Sequence, residues 1–377
     1  MKRYLDDRIR QDLARKMVVL TGPRQVGKTT LSQQLLAEHA GGQYLNFDVP
    51  AHRAVLLANG WRQSAPLLVF DEIHKMRDWK AWLKGAVDGL AAGQRLLVTG
   101  SARMDTFRQA GESLAGRYFR LRLHPVSVRE WCEHAAVPPA PALTHLLARG
   151  GFPEPVLADS EADASRWRAD YFSGLVREDV LEFSRLQEVN AMRLFGELLR
   201  SGVGSPLSLA SMARDLGVAP ATLRKYLDIL EALFIVFTVR PWHRNIARAT
   251  LQSPKVYFYD TGLVQGDAGI RFENLVACHL LKAVQWQQDT RGASVGLHYV
   301  RTKDGAEVDF ALSDGDALTD LAECKPAAPP PHRALVRFAS EWPQARAVQL
   351  VRERPAERDK GAVQVRDAGP WLADLPA

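Results

Sequence analysis

Three things are scarce in this 377-residue chain. Cysteine is the first: Cys132, Cys278 and Cys324 lie far apart, with no C-x-x-C spacing. That speaks against a disulfide framework and against a cysteine-built zinc site, and it fits a reducing cytoplasm. Long apolar runs are the second. The longest, residues 232–239, suits a buried strand or helix end, and no run approaches the length of a membrane span. The opening M-K-R-Y-L-D-D-R-I-R has charge but no apolar h-region, so no signal peptide is expected. Acid excess is the third. The chain has 49 Lys and Arg against 43 Asp and Glu, a net charge of +6, and a pI of about 9.3. That balance leans toward an acidic partner such as nucleic acid. With 46% hydrophobic and 24% charged residues, the chain can bury sizeable cores and has room for two or three domains.

The most informative stretch is V-V-L-T-G-P-R-Q-V-G-K-T-T, residues 18–30. It holds the G-x-x-x-x-G-K-[ST] pattern as Gly22, Gly27, Lys28 and Thr29. Before it, residues 17–20 are a short β-branched run that reads as a buried parallel strand. After it, residues 29–39 place Leu31, Leu35 and Leu36 on one side and Ser32, Gln33 and Glu38 on the other, an amphipathic helix. Between them the backbone must turn tightly around an anion. Gly22 and Gly27 permit the angles, and N–H groups of Pro23–Arg24–Gln25–Val26–Gly27 and of the helix start at Lys28, Thr29 and Thr30 can face phosphates, proline excepted. Lys28 would reach the β- and γ-phosphates of ATP and the Thr29 hydroxyl would bind Mg²⁺. The plain alternative is a glycine turn that happens to carry a lysine.

Downstream, residues 43–47 make a second strand. Leu67, Leu68, Val69 and Phe70 make a third, ending in Asp71 and Glu72. Asp71 would hold the metal's water shell, and Glu72 would orient and deprotonate the attacking water. Residues 79–90 read as a helix. Residues 95–98 read as a fourth strand, running into Thr99 and Ser101, hydroxyls that can sense the γ-phosphate; a helix N-cap at Ser101 is the alternative. Arg117 precedes a fifth strand at 118–123. In ring ATPases an arginine there reaches the neighbouring subunit's nucleotide and neutralises developing charge; the alternative is an edge arginine in a surface ion pair.

These residues carry a family resemblance. G-P-R-Q-V-G-K-T-T, L-L-V-F-D-E-I-H-K, V-T-G-S, S-L-A-G-R-Y, G-G-F-P-E-P and P-K-V-Y-F-Y-D-T-G-L resemble a bacterial and archaeal AAA+ ATPase family (AAA_14 followed by a DUF4143 region) over nearly the whole chain. The fold expected is α/β. It comprises a P-loop AAA+ domain over 1–135, a helical lid over 136–189, a winged-helix segment over 190–263 and a C-terminal PD-(D/E)xK nuclease-like α/β domain over 264–377.

Within the lid, residues 138–141 read as a loop and hinge. Residues 162–183 read as one helix with Trp167, Tyr171, Leu175 and Val176 in step; Arg177 is a candidate nucleotide sensor. In the winged-helix segment, a short helix over 209–216, a turn at 217–220 and a second helix over 221–233 have helix-turn-helix spacing. Thr222, Arg224 and Lys225 would be exposed on the second helix, where a groove-reading helix carries its contacts. Residues 233–241 would form the wing. Use of this fold for packing or assembly alone is the alternative.

Residues 272–286 read as a helix with Glu273 in its first turn. Two antiparallel strands then present Asp309 and Glu323-Cys324-Lys325, with Glu323 and Lys325 on one face. Two carboxylates and a lysine are the set that phosphodiester hydrolysis uses: acids for one or two Mg²⁺ or Mn²⁺ ions, and lysine for the water. The nuclease-fold resemblance adds Glu273 as the helix acid. The alternative is a nuclease-like fold kept as a binding module.

The function expected is an ATP-hydrolysing motor or switch that acts on DNA, branched or structured DNA included. Assembly as a homo-oligomeric ring, a hexamer among the candidates, is expected, without a membrane and in the cytoplasm. Two rivals stay open: an ATP-gated nuclease, and a nucleotide-dependent signalling or defence switch with a protein partner.

Overall fold

The computed structural model describes residues 1–100, 114–174, 186–243, 253–327, 330–352 and 358–377. The chain forms two compact units, 1–124 with 232–234, and 125–231 with 235–377.

In the first unit five strands form one parallel sheet: β1 (Met17–Thr21), β2 (Gln43–Asn46), β3 (Leu67–Asp71), β4 (Arg95–Thr99) and β5 (Tyr118–Arg122), in the spatial order β2-β3-β4-β1-β5. β1 and β3 are buried along their whole length, as their unbroken apolar runs require of strands covered on both faces. Helices α1 (Asp6–Leu13), α2 (Lys28–Ala37), α3 (Pro50–Leu57) and α4 (Trp79–Asp88) accompany them. One core gathers Leu45, Trp61, Phe70, Leu83 and Val98, with the Trp61 ring 5.3 Å from Phe70 and edge-on to Trp82. The pattern on α2 differs from expectation at Ser32, which is buried rather than on the polar side. Its hydroxyl donates back to the Thr29 carbonyl at 2.8 Å, which removes the cost of burying it. The parallel order sets the C-terminal ends of β1, β3 and β4 side by side, with Asp71 opposite Thr99 and Leu20 opposite Thr99. Ligand sites of open α/β sheets lie outside such ends.

The second unit begins with α5 (Val128–Ala135), started by a Ser127/Glu130 capping box. Residues 138–141, read as a loop, are instead mostly helical: α6 (Pro139–Arg149) starts there. Proline suits a first turn, where its missing N–H has no partner to lose. After α7 (Pro153–Leu157), α8 (Glu161–Gly174) covers the described part of the expected 162–183 helix; residues 175–185, with Arg177, lie outside the described residues. Trp167 and Tyr171 stack at 4.6 Å, and Tyr171 meets Phe152 at 5.2 Å. Next come α9 (Leu186–Ser201), α10 (Leu209–Leu216) and α11 (Pro220–Ala232). Gly217, in the left-handed region at φ 65°, closes α10 and makes the turn into α11.

Eight strands complete the unit: β6 (Val236–Pro241), β7 (Lys255–Phe258), β8 (Val295–Arg301), β9 (Glu307–Asp314), β10 (Ala317–Lys325), β11 (Arg346–Val351), β12 (Arg358–Lys360) and β13 (Val363–Asp367). Their order is β12-β13-β11-β10-β9-β8-β6-β7. β6 starts three residues later than expected and pairs antiparallel with β7. It also pairs parallel with β8 through Arg240 and His298, so the strands at the position expected for a wing are part of the large sheet. The long helix α12 (Ala268–Arg291) begins earlier than expected, because the Asp267 side chain caps the N–H groups of Gly269 and Ile270. Glu273 therefore sits in its second turn. Asn274 ties α12 to β7, accepting from the Phe258 N–H and donating to the Phe258 carbonyl. Helices α13 (Arg333–Glu341) and α14 (Ala368–Ala373) follow. α13 buries Leu335 and Phe338 in a core with Val308, Leu321 and Ala347 of β9–β11.

Two stretches that carried the resemblance meet in this unit. A Cβ at Gly150, where φ is 77°, would fall 2.0 Å from Asp260 Oδ1, so only glycine fits. Asp260 is buried, accepts from the Gly262 N–H at 3.0 Å, and has its carboxyl pushed up to about 6 by burial. Among the described residues no helix is long and apolar enough to cross a membrane.

Candidate functional site

The first site forms where β1, β3 and β4 end. Gly22 leaves β1 at φ 144°, and a Cβ there would lie 2.3 Å from the Leu123 carbonyl oxygen. Gly27, at φ 99°, is the N-cap of α2. Both angles are ones that side chains disfavour. The loop thus delivers Lys28 as the first residue of α2. Lys28 is buried, and its ammonium donates to the carbonyls of Gly22 at 2.9 Å and Pro23 at 2.6 Å. Burial pushes its pKa down to about 8, against the pull of Glu72 and Asp71. A buried cation held by two neutral carbonyls is short of negative charge.

Asp71 collects the hydroxyls. Its Oδ2 accepts from Thr29 at 3.1 Å and Tyr44 at 2.5 Å; its Oδ1 accepts from Thr99 at 2.5 Å and from the Glu72 N–H at 3.1 Å. Glu72 has a left-handed backbone, φ 55°, a strained setting for a residue with a side chain. Its Oε2 lies 3.5 Å from His74 Nε2 and 3.8 Å from Lys75 Nζ. Burial, then the nearby Asp71 charge, raise its pKa. Lys28, Thr29, Asp71 and Glu72 are therefore brought together; Thr99 joins them by its bond to Asp71. Arg24, Gln25 and Thr30 are exposed on the loop and the helix start, and Val26 is buried beneath. Ser101 lies outside the described residues. Arg117 is bound bidentately to Asp88 at the end of α4, Nε at 2.9 Å and Nη2 at 3.2 Å.

Two contributors escaped the sequence reading. Tyr44 stands on β2, where Asn46 pairs with Asp71; only that register shows that its phenol can reach the acid. Arg3, buried, donates to the Val26 carbonyl at 2.9 Å and to the His124 carbonyl at 2.5 Å, and so fixes the back of the phosphate loop. Neither carries a motif.

The residues fit a nucleotide phosphate with Mg²⁺: a buried ammonium short of an anion, and a hydroxyl and carboxylate that converge within 3.1 Å. The second candidate site, within the other unit, fits its expected metal less well. Asp309 Oδ2 accepts from the Cys324 N–H at 2.8 Å. Glu323 is bound to Lys325 at 2.6 Å and accepts from the Asp309 N–H at 3.3 Å. Burial, then Asp309, push Glu323 up to about 8; the same two causes push Glu273 up to about 7. All four expected residues are thus close. A fifth, Lys255, lies among them, 2.6 Å from Glu307, 3.5 Å from Glu273 and 3.8 Å from Asp309. Burial works against its charge, but those three acids outweigh it and raise its pKa. Among the described residues no three His, Cys, Asp or Glu side chains are gathered as a metal would need. Beside the cluster is an open cavity of about 420 Å³, lined by Ile270, Glu273, Asp309 and Lys325 among others. Of the expected DNA contacts on α11, Arg224 and Lys225 are exposed and Thr222 is half-buried.

Residues 14–132 match the family described as an AAA domain, and residues 140–273 match a domain of unknown function, DUF8612. An uncharacterized protein of Mycobacterium tuberculosis is 33% identical over 312 residues, covering 80% of this chain and 69% of its own length. An uncharacterized protein of Haemophilus influenzae is 24% identical over 334 residues, 80% of each chain. Among solved structures, the Thermotoga maritima RuvB Holliday junction branch migration motor is 19% identical, covers 62% of this chain and 88% of its own, and has a TM-score of 0.33.

Proposed function

The chain belongs to the protein family of that mycobacterial relative and carries an AAA domain over residues 14–132, and on that premise we propose that it hydrolyses ATP as a homo-oligomeric motor or switch acting on DNA. One observation carries the ATPase reading: Lys28, Thr29, Asp71 and Glu72 converge at the C-terminal ends of the parallel strands, beside a loop in which Gly22 has no room for a side chain and Gly27 takes a backbone angle that side chains disfavour.

In this reading the Lys28 ammonium exchanges its two backbone carbonyls for β- and γ-phosphate oxygens. That supplies the anion its burial lacks. Thr29 and Asp71 would hold Mg²⁺, which neutralises phosphate charge when bound. Tyr44 and Thr99 keep Asp71 oriented through its two oxygens. Glu72 takes the proton of the attacking water, and its raised pKa brings it nearer to the working pH of a general base. Arg117 would release Asp88 and turn to a neighbouring subunit's nucleotide, as a finger in trans. An exposed pair of that kind is weakly held.

For DNA, Arg224 and Lys225 on the second helix of a helix-turn-helix, with Thr222 beside them, support a groove contact, and the basic balance of the chain agrees with it. The division into ATPase domain, lid, winged-helix segment and nuclease-like domain is the frame of this proposal. The C-terminal cluster enters it as a DNA-engaging module without metal-dependent cleavage. The test is the ATPase rate of the purified chain alone and with duplex, single-stranded, forked and four-way DNA. Strong stimulation by one shape supports action on DNA. Indifference to all four would replace DNA by a protein partner, and absence of nucleotide binding would remove the ATPase reading itself.

A further inference from the structure

Lys255 opens β7, followed by Val256, Tyr257 and Phe258. Its side chain is 1% exposed. Its ammonium is surrounded by Glu307 at 2.6 Å, Glu273 at 3.5 Å and Asp309 at 3.8 Å, and lies over the Tyr299 ring, 5.3 Å from its centroid. A lysine is buried this deeply only where acids compensate it. The three acids come from two elements, α12 and β9, and the lysine from a third. We propose that Lys255 is the resident cation of this acid cluster, standing where the nuclease resemblance would put a divalent metal, so that the C-terminal sheet is assembled and functions without metal.

Three further features agree. Several of the oxygens a metal would use are already engaged: Asp309 Oδ2 by the Cys324 N–H, Glu323 by Lys325 and by the Asp309 N–H. Charge is nearly balanced without an ion. Glu273, Glu307, Asp309 and Glu323 face Lys255, Lys325 and Arg301, the last bound to Glu307 at 2.8 Å. Even with all four carboxylates ionised, the three cations leave only one negative charge, which a divalent ion would overshoot. Glu273 is also fixed toward the lysine from both sides. The Tyr257 hydroxyl donates to its Oε1 at 2.7 Å, and a Cβ at Gly204 would lie 2.8 Å from that same oxygen. The backbone of residue 204 thus closes over the acid, and the position has no room for a side chain.

The test uses the full chain, free of nucleotide and stripped with chelator, titrated with Mn²⁺ by calorimetry and by thermal unfolding. The expected wild type shows no Mn²⁺ binding that Asp309→Asn removes, and the same unfolding midpoint in chelator and in Mn²⁺. Lys255→Met should unfold at a lower temperature in chelator, regain part of the loss in millimolar Mn²⁺, and lose that recovery when Asp309→Asn is added. Sub-millimolar Mn²⁺ binding by the wild type that Asp309→Asn abolishes would overturn the proposal. So would an unchanged midpoint of Lys255→Met in chelator. If Lys255→Met does not fold, the wild-type and Asp309→Asn titrations still decide it, because they need no change at Lys255.

Discussion

Replacing Glu72 by glutamine isolates the chemical step from everything that holds the nucleotide. The substitution keeps size and shape and removes the proton acceptor. Lys28, Thr29 and Asp71 make their contacts without Glu72 side-chain oxygens, so affinity for ATP should change little. A positioned general base contributes about 10²–10⁴ in rate, or ~2.7–5.4 kcal/mol at ~1.36 kcal/mol per decade. Phosphate release by Glu72→Gln should fall by that factor. Wild-type hydrolysis should rise with pH as Glu72 ionises, and because burial and Asp71 raise its pKa, the rise should come above the usual carboxylate range.

The same shift fixes the sign of the stability effect. An acid whose pKa is raised by folding binds more protons in the native than in the unfolded state, between its unfolded and folded values. Its contribution is fully present below the unfolded pKa and is lost as pH rises through the folded one. At neutral pH Glu72 is therefore a burden, and Glu72→Gln should unfold at the wild-type temperature or above it. Loss of turnover with intact stability and intact binding of a fluorescent ATP analogue would establish the base. Hydrolysis by Glu72→Gln at the normal rate would refute it.

Lys28→Ala should abolish binding of that analogue, since it deletes the one buried cation that the loop aims at the phosphates. Arg117→Ala should leave affinity nearly unchanged and cut hydrolysis by about 10³–10⁵ if the arginine acts as a finger; mixed with Glu72→Gln it should partly recover, and no recovery at any ratio with assembly intact would count against a finger in trans. Arg224→Glu with Lys225→Glu should weaken DNA binding in a fluorescence titration and flatten its dependence on salt, because fewer counterions are released; an unchanged salt slope would move the contact elsewhere.

How far the sequence could be read depended on whether a residue's role travels with its neighbours. Gly22, Gly27, Lys28 and Thr29 lie on one continuous loop, so their spacing alone marked the candidate site, and Asp71 and Glu72 followed from a strand that ends in acids. Ser32 misled, because a serine in a helix interior can turn its hydroxyl onto its own backbone and be buried. The loop at 138–141 misled for a related reason: proline breaks a helix interior but suits its first turn. Tyr44 and Arg3 were invisible. Each acts across the sheet or across some 120 residues of chain, Arg3 on the His124 carbonyl, and no local pattern marks such a contact.

The C-terminal acids show the sharper limit, because there the residue types were right and their surroundings decided what they mean. Asp309, Glu323 and Lys325 do share one place, as the alternation on β9 and β10 required. From spacing alone, an acid–acid–lysine set demands a cation to relieve the repulsion between carboxylates. It does not say which cation. The signal was in the chain, in the lysine that opens K-V-Y-F: a charged residue at the head of a strand buried along its whole length is tolerated only if acids meet it there. Lys255 meets three. An ammonium delivered by the fold cannot leave as a metal can, so it fixes the acids permanently and leaves the neighbouring cavity with Lys325 on its wall. With Asp267, Glu273 and Asp309 on the same wall, such a cavity is not equipped to cut a phosphodiester. On this reading the sheet does not hydrolyse DNA, and the energy for any work would come from the unit that carries Lys28 and Glu72.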